Sequence, residues 1–188
     1  MGKRSNFDKI PKDAYMTTDP RAVRPLVEYY KGVPFTYYEP CAGNCDLIKL
    51  LEGAGVCVGY SDDEIDARTH DYYTMSADYF ITNPPWSRDI LHPIIDNLRV
   101  QLPTWLLFDA DWMFTAQSFP YMKYCKVILP IGRLKWMPGT TDVGKDNCAW
   151  YLFVGHETSC QFYPKLPKAC KSLDASSVAT KNLQVYRE

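Results

Sequence analysis

Short runs of β-forming residues that stop on a polar side chain, each handing over to a turn or a helical stretch, recur along this chain. That alternation leaves few folds open. Phe35 to Glu39 is a strand followed by the tight turn Pro40-Cys-Ala-Gly-Asn-Cys-Asp46 and a helix over 46–52, which Gly53 and Gly55 stop and which Asn44 or Asp46 would cap. Val56 to Tyr60 is a second strand, running into Asp62-Asp63-Glu64. Asp78 to Thr82 leads directly into Asn83-Pro84-Pro85-Trp86, and Thr104 to Phe108 ends at Asp109. Cys125 to Ile131 and Cys148 to Val154 then follow without a clear helix between them. Strand–helix alternation closed by two successive strands predicts a mostly parallel sheet with an antiparallel hairpin at one edge. Ligands of such sheets bind beyond the carboxyl ends of the strands. Glu39, Asp62, Asp71, Asn83 and Asp109 are the polar residues expected there.

Other helices are weaker in outline. Residues 20–31 read as one, with Thr17, Thr18 and Asp19 ahead of it as caps and Gly32 behind. Ile90, Leu91, Ile94, Ile95 and Leu98 have helical spacing, and Pro93 either starts that helix, with His92 as its cap, or kinks it. A further helix is expected over 112–123. The chain divides into an N-terminal arm (1–18), one α/β domain (19–155) and a C-terminal extension (156–188) with little structure beyond a strand or short helix. A length of 188 residues suits one core and leaves little room for a second.

Composition narrows the partners. Residues 39–78 hold nine acids and two bases while the whole chain is at −1, so the remainder is basic and could carry a nucleic-acid surface. Seven cysteines, an odd number with no C-x-x-C pair, and the polar start MGKRSNFDKI point to free thiols in a reducing cytoplasm. Three scattered histidines make no metal site, and no apolar run is long enough to span a membrane.

Two segments can do chemistry. The turn after Glu39 lets backbone N–H groups approach a ligand beside a helix N-terminus, and suits a carboxylate-plus-ammonium ligand better than a phosphate, because no Gly-Lys-Ser/Thr follows. Carboxylates after the second strand, Asp62 first and Asp63 or Glu64 as substitutes, can accept from ribose hydroxyls, and Asp71 from an adenine amino group. The sharper segment is Asn83-Pro84-Pro85-Trp86. Two prolines at a strand end make a rigid extended corner without N–H donors. Its carbonyl oxygens, with that of the Asn83 side chain, suit an NH2 group, and Trp86 offers a face on which a base can stack.

These segments together, Glu39-Pro-Cys-Ala-Gly-Asn-Cys-Asp-Leu47 and Asn83-Pro-Pro-Trp86, resemble the cofactor and catalytic motifs of amino-group DNA methyltransferases, more narrowly the small phage or prophage type that methylates adenine N6. The similarity extends through Leu91-His-Pro93, Trp105 to Trp112, Gly132 to Trp136, Gly144 to Asn147 and Trp150 to Phe153, about residues 14–154. It implies a Rossmann-like class I methyltransferase fold with a seven-stranded sheet, and S-adenosylmethionine as cofactor. Glu39, Cys41 and Gly43 would line the methionine part, Asp62 the ribose and Asp71 the adenine, with Tyr15 and Thr17 in an N-terminal cofactor-binding segment and Asn83 also against the cofactor. Asn83, Pro84, Pro85 and Trp86 would hold the target amine, and Trp136 would supply a second aromatic face. The same tetrapeptide serves enzymes acting on RNA bases and protein glutamine, and a fold that has lost turnover would act as a binding module. The family's turn reads Gly-Asn-Gly, whereas Cys45 stands in place of the second glycine here, so a side chain is expected to crowd the cofactor or require a different backbone angle. With no separate recognition domain, specificity falls to loop 132–147, the tail or a partner subunit, and a homodimer is left open.

Overall fold

The computed structural model describes residues 16–72, 76–137 and 143–167. They form a mixed α/β fold around one seven-stranded sheet. In chain order the elements are α1 (Arg24–Tyr29), β1 (Thr36–Glu39), α2 (Asp46–Leu51), β2 (Val56–Tyr60), β3 (Tyr79–Thr82), α3 (Arg88–Arg99), β4 (Thr104–Asp109), α4 (Phe119–Met122), β5 (Cys125–Gly132), β6 (Cys148–Phe153) and β7 (Gln161–Phe162). The strand order is β2-β1-β3-β4-β6-β5-β7. Only β6 runs antiparallel, between β4 and β5, so the Rossmann-like, mostly parallel sheet expected from the sequence is present. The antiparallel pair lies one strand in from the edge, because the two-residue β7 adds parallel to β5.

Side-chain alternation along the central strands builds a core on each face. Trp105 and Leu107 of β4 and Trp150 and Leu152 of β6 point to one face, where α1 and α2 deliver Leu26, Tyr30, Leu47 and Leu51. Leu106, Phe108, Tyr151 and Phe153 point to the other, packed by Leu91, Ile94, Ile95 and Leu98 of α3. The buried indole N–H groups all find acceptors. Trp105 donates to the Tyr30 hydroxyl at 2.8 Å, Trp150 to the Ala22 carbonyl at 2.7 Å and Trp112 to His92 Nε2 at 3.1 Å. Burial, then the nearby Arg88 charge, lowers the His92 pKa, which keeps that nitrogen an acceptor.

Three helical expectations are corrected. The helix expected over 20–31 is regular only at Arg24–Tyr29, because Pro20 to Val23 form a turn in which Asp19 accepts from the Arg21 N–H. The helix through Pro93 starts earlier, at Arg88, and runs on to Arg99, with its apolar stripe holding it across the proline. Residues 112–123 form two 3₁₀ turns and the four-residue α4 instead of one helix. The Thr115 hydroxyl donates to the Trp112 carbonyl, and Ser118 Oγ lies within bonding distance of the Met113 and Thr115 carbonyls, which draws the backbone away from continuous helix.

Candidate functional site

The carboxyl ends of β1, β2 and β3 converge because the loops beyond them are bonded together. Ser61 N–H donates to the Glu39 carbonyl and Ala42 N–H to the Ser61 carbonyl, both at 2.9 Å. The loop from Ser61 to Tyr72 is held from below by α3. Asn97 Nδ2 donates to the carbonyls of Ala67 and His70, and Gln101 Oε1 accepts from Tyr72 N–H at 2.6 Å. These bonds enclose a cavity of about 570 Å3, within the size range of small-molecule sites.

Seven residues singled out from the sequence line this cavity: Thr17, Glu39, Cys41, Gly43, Asp62, Asn83 and Pro85. Asp63 lines it as well, while the Glu64 carboxylate instead accepts from Asp62 N–H at 3.1 Å. Pro84 is buried behind the wall. Asp71 is exposed in the loop before β3 and is not among the lining residues. Tyr15 lies outside the described residues.

Trp86 is placed differently from a stacking platform open to the cavity. Its ring is half-buried, meets Trp136 edge to face with centroids 5.4 Å apart, and is not among the lining residues. Its indole N–H lies 3.0 Å from Asn83 Oδ1 and 3.1 Å from the Leu107 carbonyl. An indole only donates, so this contact orients the Asn83 amide with its oxygen toward Trp86. Arg88 braces the same corner, donating to the Trp86 carbonyl and pairing with Asp109 at 3.2 Å.

Glu39 is the electrostatic anomaly. It is 1% exposed, and its Oε2 has no hydrogen-bond partner. Burial first, then the charges of Asp62 and Asp46, push its carboxyl up to about 9. Burial also raises the Cys41 thiol well above its usual range, which makes it a poor nucleophile at neutral pH.

The sequence reading missed the apolar wall. Ile65 and Ala67 from the loop after β2, with Ile90 and Ile94 from α3, give the cavity a surface fit for a flat ring. The four-residue spacing of Ile90 and Ile94 just after the proline corner was the available signal. Met16 was also missed. Its Sδ lies 3.1 Å from where a β-carbon on Gly43 would stand, and Gly43 has φ +50°, so both space and backbone favour glycine there.

Cys45 is the N-cap of α2, in place of Asn44 or Asp46, and adopts φ 58°, ψ 27° without a side-chain cap. It does not line the cavity, so its cost is in backbone angle and not in crowding. Cys45→Gly is therefore expected to stabilise the fold by about 0.5–1 kcal/mol, read as a rise of a few degrees in Tm. A lower Tm would contradict a strained turn.

Among the described residues, no group of His, Cys, Asp and Glu could hold a metal ion, and no helix is long and apolar enough to cross a membrane. Neither a protein-family model nor a curated protein matches the sequence. Solved structures similar to this chain include a dimethyladenosine transferase from Plasmodium falciparum (12% identity, TM-score 0.44, covering 68% of this chain and 58% of that one). A provisionally assigned RNA methyltransferase from Pyrococcus horikoshii shares 12% identity at TM-score 0.48, over 78% of this chain and 91% of the other. The M protein of the type I restriction enzyme EcoKI shares 12% identity at TM-score 0.43, over 77% and 46%. At these identities and overlaps the likenesses carry no argument about what this chain binds.

Proposed function

We propose that this chain is an S-adenosylmethionine-dependent methyltransferase that acts on an exocyclic amine, adenine N6 in DNA. The observation that carries the reading is the meeting of two sequence-distant motifs in one cavity. Asn83 and Pro85 of the proline corner stand on the same wall as Glu39, Cys41, Gly43 and Asp62. The residues fit the cofactor chemically. The unpartnered Glu39 Oε2 and the carboxylates of Asp62 and Asp63 suit a ligand that brings positive charge and hydroxyl donors into the cavity. Glu39, Thr17 and Gly43 would hold its methionine end, Asp62 its ribose, and the Ile65, Ala67, Ile90 and Ile94 side chains its ring. The last four take the position first expected of Asp71. Bound there, S-adenosylmethionine supplies an electrophilic methyl group.

The chain's own part is positioning and hydrogen-bond acceptance. Asn83 Oδ1 and a main-chain carbonyl of the proline corner accept from the two amine hydrogens, favouring the pyramidal nitrogen that can attack. Trp86 orients the Asn83 oxygen for that task, and its ring edge against Trp136 fixes the corner from behind. The raised Cys41 thiol agrees with transfer that needs no covalent cysteine step. In duplex DNA the base must leave the stack, at about a few kcal/mol.

The test is incubation of the full chain with methyl-labelled cofactor and DNA, RNA or a protein mixture, with calorimetry of cofactor binding alongside. Label at adenine N6 of DNA is the expected result. Label only in RNA or on glutamine would replace the substrate and keep the chemistry. Absence of cofactor binding would reject the enzyme reading in favour of a silent binding module.

A further inference from the structure

The carboxyl rim of the sheet is electrically divided. On the β2 and β1 side Asp62 and Asp63 stand around the cavity, with Asp46 paired to Lys49 and Asp66 to Arg68. On the opposite side, Arg133 and Lys135 follow β5, Lys145 precedes β6, and Lys165 follows β7, all four exposed. None of the four pairs with an acid among the described residues, whereas every ion pair found there involves other bases. Lys165 reaches back across the rim, so that its ammonium occupies the place where a β-carbon on Gly132 would stand. Gly132 has φ +94°, a backbone angle that favours glycine. Asp146 is the one acid among the described residues of the β5–β6 loop, and at the end of β4 Asp109 is paired with Arg88 while Asp111 is exposed. Asp19, the nearest acid from the N-terminal side, is already engaged by Arg21 and by the Lys135 N–H at 2.9 Å. Strand order places the end of β3, with Asn83, between the two halves.

We propose that Arg133, Lys135, Lys145 and Lys165 form a track for the phosphate backbone of the substrate nucleic acid, and that the divided rim sorts the two reactants. This rests on the methyltransferase reading. A cationic cofactor is drawn to the acid-lined half and repelled by the basic half, while a polyanion experiences the reverse. The Debye length at physiological salt is about 8 Å, so each half acts on what lies directly over it. The two reactants then meet at Asn83. The four bases flank strand ends in three separate parts of the sequence, and the order β6-β5-β7 gathers them. An arrangement at one sheet edge, beside Trp136 and the proline corner, fits a strand laid along the rim with one base directed at the cavity.

The test compares wild type with the variant carrying Arg133→Gln, Lys135→Gln, Lys145→Gln and Lys165→Gln. Binding of a fluorescein-labelled 20-nucleotide DNA duplex, its single strand and the matching RNA is followed by anisotropy from 0.05 to 0.3 M salt. Each duplex phosphate neutralised contributes about −0.9 to the slope of log K against log salt. The variant is expected to bind about 10²–10³-fold more weakly at 0.1 M salt, with a slope reduced by about 3–4 on duplex. Cofactor binding and Tm should hold. Should the quadruple variant fold poorly, Arg133→Gln with Lys145→Gln, and Lys165→Gln alone, give proportionate losses. A control matched in charge to the Arg133→Gln, Lys145→Gln double variant, Lys31→Gln with Lys126→Gln at the amino end of the sheet, leaves the slope in place. Unchanged affinity and slope in the rim variant, or an equal loss in the control, overturns the track. So does a wild type that binds no nucleic acid but methylates an acidic protein. Failure of wild type to bind the cofactor while the slope change persists rejects the methyltransferase reading and leaves the track standing. The three probes separate a DNA backbone from an RNA backbone.

Discussion

Asn83→Ala slows methyl transfer about 10²–10³-fold while cofactor binding stays near wild type, a loss of the size seen when one preorganised polar group is removed from a transition state. The Asn83 side chain stands on the cavity wall just after β3, and its oxygen is oriented by the Trp86 indole at 3.0 Å. Removing it takes away an acceptor that gains strength only as positive charge develops on the attacking nitrogen, so the loss falls on kcat. Trp86→Phe separates orientation from acceptance. It keeps most of the aromatic packing against Trp136 but deletes the N–H that reaches both Asn83 and Leu107. A smaller loss is expected, about tenfold, with cofactor affinity unchanged. Single-turnover assays with labelled cofactor, paired with calorimetry, read both quantities. Wild-type turnover in the alanine variant would end the acceptor argument.

Features that depend on local pattern were readable in advance, and those that depend on contacts between distant segments were not. The strands around residues 36–39, 56–60, 79–82, 104–109, 125–132 and 148–153 follow from β-forming side chains bounded by turn residues, and the mostly parallel arrangement follows from strands that alternate with helices before two successive strands. The convergence of Glu39, Asp62 and Asn83 follows in turn, because parallel strands present their carboxyl ends on one side. The helix expected over 112–123 had suitable spacing, but spacing does not register hydroxyls at Thr115 and Ser118 competing for main-chain carbonyls. Pro93 read as either a helix start or a kink, and the helix runs through it, because one missing N–H costs less than giving up Leu91, Ile94, Ile95 and Leu98 against the sheet. The Trp86 indole reaches Leu107, twenty-one residues on, and no motif contains that bond. Asp71 illustrates the same limit: its place in the sequence suggested a strand end, but the residues before it form turns, and the cavity wall is closed by Ile65 and Ala67 instead.

Raising pH should weaken the fold through Glu39, and Glu39→Gln should remove that weakness. Burial and the neighbouring acid charges push the carboxyl from its ordinary 4.5 to about 9. Between those values the folded chain keeps a proton that the unfolded chain has lost. Each pH unit above 4.5 then costs stability, about 1.4 kcal/mol, until the folded carboxyl ionises near 9. By pH 7 the cost is on the order of 3 kcal/mol, so Glu39→Gln is expected to melt roughly 6–12 °C higher there. The gap should close as the pH is lowered through 4.5, below which the Glu39 carboxyl is protonated in both the folded and the unfolded chain. Cofactor binding reverses the sign. Positive charge brought near Oε2 favours the ionised form, so binding to wild type releases a proton below about pH 9 and tightens as pH rises toward 9, by up to tenfold per unit. Glu39→Gln binds more weakly and without that slope. Calorimetry in two buffers of different ionisation enthalpy counts the proton, and melting curves from pH 5 to 8.5 give the stability arm. Parallel melting profiles for the two proteins would mean that Glu39 is already ionised in the free chain. The acid would then be partnered before any ligand arrives, and its vacant oxygen could not be what draws a cation into the cavity.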